Sequence, residues 1–423
     1  MDALTTPSNW QRVRLGDIAE IKRGASPRPI ENPKWFCTNS NVGWVRISDI
    51  SKNSRFLYKT AQKLSKKGIE KSRFIKQNSL IMSMCATIGK PIITKIDTCI
   101  HDGFVVFENP KIDLNYLYYF LCYIEKEWLE SGQQGSQVNL NVDLIKNKEV
   151  FYPKDLNEQI AIANILSGLD HYLYSLDALI LKKESVKKAL SFELLSQRKR
   201  LRGFNQAWQR VRLGDICYLK NGFSFKSDLF KNMGIPIIRI SNISSVDNCI
   251  NTNDLVFYDP ILIDNDYILK QGDLILAMSG ATTGKSCLYN LNKIAYLNQR
   301  VGVFRAKTSF CYDFLVQFVF SELFTSRLKL ILTAGAQPNI SSFDIEDFEI
   351  LLPPLKEQIA IANILSGLDN EIISLKNKKR QFENIKKALN HDLMSAKIRV
   401  LKKINAPKVK DKPPTRKPLS LKA

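Results

Sequence analysis

A chain of 423 residues has room for two or three domains, each able to bury its own core. Its hydrophobic share of 44% is ordinary, no run of 18 apolar residues occurs, and MDALTTPSNW lacks the basic-then-apolar order of a signal peptide; these features speak against a membrane protein and make the cytoplasm the expected compartment. Sixty-two Lys and Arg against 41 Asp and Glu leave a net charge of +21, which points to a polyanionic partner; ten basic residues against Asp411 from Lys397 onward supply +9 of it in a Pro-containing tail expected to be disordered.

Eight cysteines stand without a CxxC pair, and the three histidines are far apart, so the spacing offers neither a zinc site nor a disulfide framework. Reduced thiols packed as small apolar side chains are the expectation, with no metal and no cofactor held by this chain.

In chain order, WQRVRLGDI (Trp10 to Ile18) opens a region of short Val-, Ile- and Phe-rich runs broken by Gly, Asn, Asp and Pro. These read as strands and turns, interrupted by one helix over Tyr116 to Leu129, where aromatic and aliphatic residues recur every three or four positions. Asp155 followed by Glu158 resembles a capping box and starts a long Pro-free helix reaching about Gln197.

That helix begins with EQIAIANILSGLD, Glu158 to Asp170, and the same thirteen residues recur at Glu357 to Asp369, 199 positions on. The opening motif recurs too, at Trp208 to Ile216. Between these anchors GWVRISDI answers PIIRISNI, MCATIGK answers SGATTGK, CIHDGFVVF answers YLNQRVGVF, and GSQVNLNVDLI answers GAQPNISSFDI. The second half therefore repeats the first, with its own helix over Tyr312 to Leu330 and its own long helix after Pro353 and Pro354.

Both long helices carry a heptad seam, Leu166, Leu169, Leu173, Leu176, Ile180, Leu190 and Leu194 in one, Leu365, Leu368, Ile372, Leu375, Phe382, Leu389 and Leu393 in the other, interrupted by lysines. If the first helix carries the chain from domain one to domain two, its equivalent runs back, so the pair is expected to be an antiparallel coiled coil. The fold expected is mixed α/β: two globular domains separated by two long antiparallel helices, as a quasi-twofold internal repeat. The boundaries read as 1–152 for the first domain, 153–205 for the first helix and junction, 206–352 for the second domain, 353–402 for the second helix and 403–423 for the tail.

A basic body with internal twofold character and two divergent domains suits duplex DNA, and because the domains differ, an asymmetric bipartite site is expected. The EQ-IA-IL--LD helix start, the LLSQRKRLRGFNQAWQRVRLGDI junction, and the R-I-S-[DN]-I and A-T-[IT]-G-K segments of each half together resemble the specificity subunits of type I restriction-modification systems, over nearly the whole chain. The resemblance implies two target-recognition domains, separated by spacer helices that dock methyltransferase (M) subunits and, in the full assembly, restriction/translocase (R) subunits. S-adenosylmethionine, ATP and Mg²⁺ would then sit on those partners, and the chain itself would be non-catalytic.

Competing motifs are weaker. SGATTGKS ends like a Walker A loop, but the first glycine's place is taken by Ser279. Glu20-Ile21-Lys22 copies part of a nuclease E-x-K element, yet its counterpart is Tyr218-Leu219-Lys220. The alternative is a self-sufficient DNA-modifying or DNA-cleaving enzyme with an unrecognised active site; no catalytic residue is assigned.

Base reading needs Arg for guanine and Asn or Gln for adenine, with Lys and Ser on phosphates. Lys22, Arg23, Arg46, Lys90, Gln134, Ser136, Gln137 and Asn139 are the candidates in the first half, and Lys220, Asn221, Arg239, Lys285, Gln299, Gln337 and Asn339 in the second. The identical helix starts call for a partner met twice, and Gln159, Asn164, Ser167 and Asp170 with Gln358, Asn363, Ser366 and Asp369 are the expected docking residues.

Overall fold

The computed structural model describes residues 7–51, 55–130, 140–243, 248–334 and 339–400. The candidates Gln134, Ser136, Gln137, Asn139 and Gln337, and the basic tail, lie outside the described residues. Contacts divide the chain into two units of unequal sequence continuity: residues 1–174 with 380–423, and residues 175–379. The division passes through both long helices, Leu156–Leu195 and Leu355–Met394.

In the first unit Trp10–Arg14 pairs antiparallel with Glu149–Pro153, so the two ends of the domain close on each other before the long helix departs. A five-stranded sheet runs in the order Glu20–Arg23, Phe104–Glu108, Leu80–Ser83, Pro91–Thr94, Phe56–Leu57, and a four-stranded one in the order Gln62–Lys63, Gly43–Val45, Thr98–Ile100, Arg73–Ile75. Alternate residues of the central strands separate two cores. Leu80, Met82, Val105 and Phe107 face a helical layer, while Ile81, Phe104 and Val106 pack with Val45, Ile50 and Ile100. Burial on both faces explains why these strands read as continuous apolar runs rather than as a polar–apolar alternation.

The second unit repeats this plan. Gln209–Arg212 pairs with Glu349–Leu352, Cys217–Asn221 lies beside Val301–Ala306 in one sheet, and Ile235–Ile238 lies beside Ala295–Leu297 in another. Leu274 and Leu276 again face the helices, and Ile275 and Ala277 face the opposite core.

The helical layer departs from the sequence expectation in one respect. Each half holds two helices where one was expected: Leu114–Tyr123 and Glu125–Glu130 in the first, Tyr312–Val319 and Glu322–Ala334 in the second. In the second, the buried Ser321 turns its hydroxyl onto the Phe318 carbonyl at 2.6 Å, and a side chain that takes a backbone carbonyl in this way competes with the helical ladder.

Within each unit the long helices run antiparallel. In the first, Lys386 bridges Asp170 at 2.5 Å, and Tyr172 packs on Phe382 with ring centroids 4.6 Å apart. In the second, Lys187 bridges Asp369 at 2.5 Å, Lys183 bridges Glu371 at 2.7 Å, Lys376 bridges Glu184 at 2.7 Å and Lys379 bridges Asp177 at 2.7 Å. Of the lysines that interrupt the apolar seam, Lys183, Lys376 and Lys379 are therefore ion-pair donors across it.

Candidate nucleic-acid interface

The R-I-S-[DN]-I motif fixes a backbone corner. In the first unit Asp49 accepts from the Arg46 amide at 2.9 Å and from Ala61 at 3.0 Å; in the second, Asn242 accepts from the Arg239 amide at 3.0 Å. The acid or amide three residues on thus closes a helical start, and the arginine is delivered to the same place in both units.

Beside that corner the first unit places the turn His101-Asp102-Gly103. Asp102 accepts from Ser26 Oγ and Arg28 Nη2, both at 2.7 Å, and its carbonyl accepts from Arg23 Nε at 2.7 Å; Arg73 donates in turn to the Arg23 carbonyl. Arg46, Ser48, His101 and Asp102 line a pocket of about 410 Å³ with Ile30 and Ile47. Burial, helped by the nearby Arg46 charge, pushes the His101 pKa down to about 4 against the pull of Asp102, so the imidazole is neutral at pH 7. Its Nδ1 accepts the Gly103 amide at 2.9 Å, which leaves the proton on Nε2. The Asp102 carboxyl feels burial upward, but Ser26 and Arg28 outweigh it and hold the group below its ordinary value. The Arg46 guanidinium makes no hydrogen bond or ion pair with any described residue.

The backbone here permits no variation. A Cβ on Gly24 would lie 2.0 Å from the His101 carbonyl oxygen, and one on Gly222 would lie 2.2 Å from that of Leu297. Only glycine admits so close a strand approach.

On the same framework the second unit carries a different set of groups. Asn298 and Gln299 occupy the places of His101 and Asp102, and Arg239 donates to the Asp254 carbonyl at 2.8 Å and to its carboxylate at 2.9 Å. Lys220 sits 4.7 Å from the centre of the Tyr267 ring. Gln299, Asn221 and Asn339 are exposed.

Other expected DNA contacts are placed less openly. Lys22 is held by Glu20 at 2.8 Å and Glu108 at 2.6 Å, which raises its pKa through the Glu108 bond first, and this pairing accounts for the nuclease-like Glu20–Lys22 couple. Lys90 and Lys285 end matching hairpins between the strands Leu80–Ser83 and Pro91–Thr94, and Leu274–Ala277 and Ser286–Leu288. Gly89 and Gly284 adopt φ of 75° and 84° there. A strand follows each loop, not the helix that a phosphate-binding loop requires. Among the described residues no three His, Cys, Asp or Glu side chains gather as a metal site.

The repeated helix starts divide into an inner and an outer face. Glu158 accepts from Trp10 and Asn9, and Glu357 from Trp208 and Arg200. Gln159 and Gln358, expected on the docking face, are instead 3% exposed, and both ends of each amide are spent internally. The Oε1 atoms accept from Asp113 and Cys311, and the Nε2 atoms donate to the carbonyls of Pro153 and Pro353. Asp170 takes Tyr119 and Lys386, and Asp369 takes Gln317 and Lys187, while Ser366 lies 3.3 Å from Gln317.

What faces outward, identically in both copies, is Asn164, Ile160, Ile165 and Gly168 with Asn363, Ile359, Ile364 and Gly367; the four isoleucines are 38–43% exposed. Nothing lies within 4 Å of a Cβ on either glycine. The sequence carries a signal for these isoleucines: they fall on the side of the helix away from the buried Ile162 and Leu166.

A family model described as the type I restriction modification DNA specificity domain matches twice, over residues 7–183 and 205–384. The chain belongs to this family. Its two units each carry one specificity domain, and its function is that of the family, DNA sequence recognition in type I restriction-modification. Among relatives, the chain is 27% identical over 427 residues to the MjaVIII specificity subunit of Methanocaldococcus jannaschii, covering 95% of each chain. It is 21% identical to the EcoprrI specificity subunit of Escherichia coli over 84% of this chain and 86% of that one. In fold it is similar to the type I S subunit from M. genitalium, with a TM-score of 0.61 at 15% identity over 93% of this chain and 97% of the other. Among the described residues no helix is long and apolar enough to cross a membrane.

Proposed function

We propose that the two units read different halves of one bipartite, asymmetric duplex site, and that the outward faces of the helix starts dock two methyltransferase subunits, with restriction subunits joining the assembly. The observation that carries the reading is a contrast. One backbone framework presents Arg46, Ser48 and His101 in the first unit and the Arg239–Asp254 pair with Asn298 and Gln299 in the second, while the outward helix face is the same in both.

In the first unit the free groups are donors: the Arg46 fork, the His101 Nε2–H and the Ser48 hydroxyl. Donors suit an acceptor edge, and guanine O6 and N7 offer one. In the second, Asn298 and Gln299 carry amides of the kind that pair with adenine. Arg23, Arg28, Arg73, Lys90, Lys220 and Lys285 would then meet phosphates, as would the candidate Ser136, while the candidates Gln134, Gln137, Asn139 and Gln337 would read base edges.

Catalysis belongs to the partners, which hold S-adenosylmethionine, ATP and Mg²⁺, and the assembly works in the cytoplasm on host and incoming DNA. Methylome sequencing of cells carrying this chain with its methyltransferase tests the reading. The expected product is a split motif with two unlike halves; a continuous motif, or a palindromic one, would refute it.

A further inference from the structure

The two long helices carry the same lysine–aspartate bridge in each unit, and then cease to resemble each other. With the offset of 199, Lys183–Glu371 occupies the place of Phe382–Tyr172, so an ion pair in one unit stands where two rings meet in the other. The pairs Glu184–Lys376 and Asp177–Lys379 have no equivalents: at the matching positions stand Glu383 with Asp177, and Lys376 with Ile180.

We infer that these contacts form a pairing code that makes the two halves of the chain selective for each other over second copies of themselves. The code is legible from what each helix would meet in an antiparallel pair with itself. Two first helices would set Glu184 against Asp177, Lys183 against Tyr172 and Asp177 against Ile180, each twice by symmetry. Two second helices would set Lys379 against Lys376 and Glu371 against Phe382, gaining only Lys376 against Glu383. The bridge made by Lys187 and Asp369, or by Lys386 and Asp170, survives in every combination and so carries no preference.

Apolar seams of two similar helices pair promiscuously, and selectivity in such pairs comes from flanking charges and from the mismatches they create in the wrong partner. Here the mixed pair has three ion pairs and a ring contact at these positions, against a single meeting of like charges, Asp177 with Glu383. A first-half self-pair has two like-charge meetings and none of the three ion pairs, and a second-half self-pair has two like-charge meetings and two glutamates set against phenylalanine rings, offset only by two Lys376–Glu383 pairs. The interface therefore fits the other half of this chain and rejects a copy of the same half. In consequence, a chain cut in the junction near Gly203, where no atom lies within 4 Å of a Cβ, remains an assembly of one first half with one second half.

The test starts from the full-length folded protein with a protease site inserted after Gly203. It is cut, isotopically labelled and unlabelled preparations are mixed, urea is added to speed dissociation and then removed, and the species are weighed by native mass spectrometry. Mixed pairs of labelled and unlabelled unlike halves are expected, with pairs of like halves at least about tenfold rarer. Comparable amounts of like pairs would overturn the inference. A redesigned chain keeps the inference testable from the other side. Tyr172→Glu with Asp177→Lys supplies partners for Lys183 and Glu184 in a first-half self-pair while opposing Phe382 and Lys379 in the mixed pair. It is expected to yield first-half pairs; Tyr172→Glu alone should shift the ratio in the same direction. A redesigned chain that still forms only mixed pairs would show that these positions do not set the choice.

Discussion

Trp10 donates its indole N–H to the Glu158 carboxylate at 3.3 Å across 148 residues of chain, and Trp208 does the same to Glu357 at 2.9 Å. The bond ties the first strand of each domain to the first turn of the helix that follows its last strand. Glu357 is fully buried and also takes Arg200 at 2.6 Å.

Removing one partner of such a buried group leaves the others unsatisfied. Glu357→Ala is expected to cost about 2–4 kcal/mol, and Glu357→Gln about half of that, because the amide oxygen still accepts from Trp208. Urea unfolding followed by tryptophan fluorescence measures it; an unchanged midpoint would mean that the clasp is dispensable.

His101 makes stability depend on acidity. Its folded pKa, about 4, lies below the ordinary 6.5, so the unfolded chain binds the proton more readily. Stability from this group is full above about pH 6.5 and is lost as pH falls toward 4, by about 2–3 kcal/mol in total. His101→Asn, which copies the second unit's Asn298, is expected to flatten that part of the unfolding profile between pH 4 and 6.5. A profile as steep as that of the unmodified protein would assign the acid sensitivity elsewhere.

Arg46 and Arg239 stand in equivalent places, but only Arg239 is tied to a carboxylate, so their removal is not expected to be equivalent. Arg46→Ala should cost about 1–3 kcal/mol of DNA affinity and relax one position in one half-sequence, leaving the other half intact. Arg239→Ala should have a smaller effect, and Asp254→Ala, which frees the guanidinium, should change the second half-sequence or strengthen binding to DNA at large. Binding measured on randomised half-sites separates these outcomes. Loss of selectivity in both halves from a single substitution would contradict two independent reading units.

The duplication, the strand-rich halves and the two Pro-free helices were legible in the sequence because each leaves a long-range or periodic mark. So was the arginine of the R-I-S-[DN]-I motif, since the fourth residue caps its amide. The capture of Arg239 by Asp254 was not legible, because the acid lies 15 residues away in a loop with no pattern of its own. Gln159 looked like a surface residue for a related reason: nothing local announces that the Pro153 carbonyl and the Asp113 amide converge on it. The break at Ser321 was hidden because aromatic residues keep their helical spacing on both sides of it.

The outward isoleucines give the docking proposal its sharpest test, because an aspartate at such a position should be tolerated by the chain yet destroy an apolar contact. Ile160 and Ile359 are 38% and 43% exposed, so Ile160→Asp and Ile359→Asp should change stability by no more than about 0.5 kcal/mol. Burying the same charge against a partner without a counter-ion costs far more. Each single variant is therefore expected to bind one methyltransferase subunit where the unmodified chain binds two, and the double variant none, while binding of the chain to its DNA site is kept. Native mass spectrometry of the co-purified assembly reads the stoichiometry directly. A double variant that still carries two methyltransferase subunits would place the docking surface on another part of the chain.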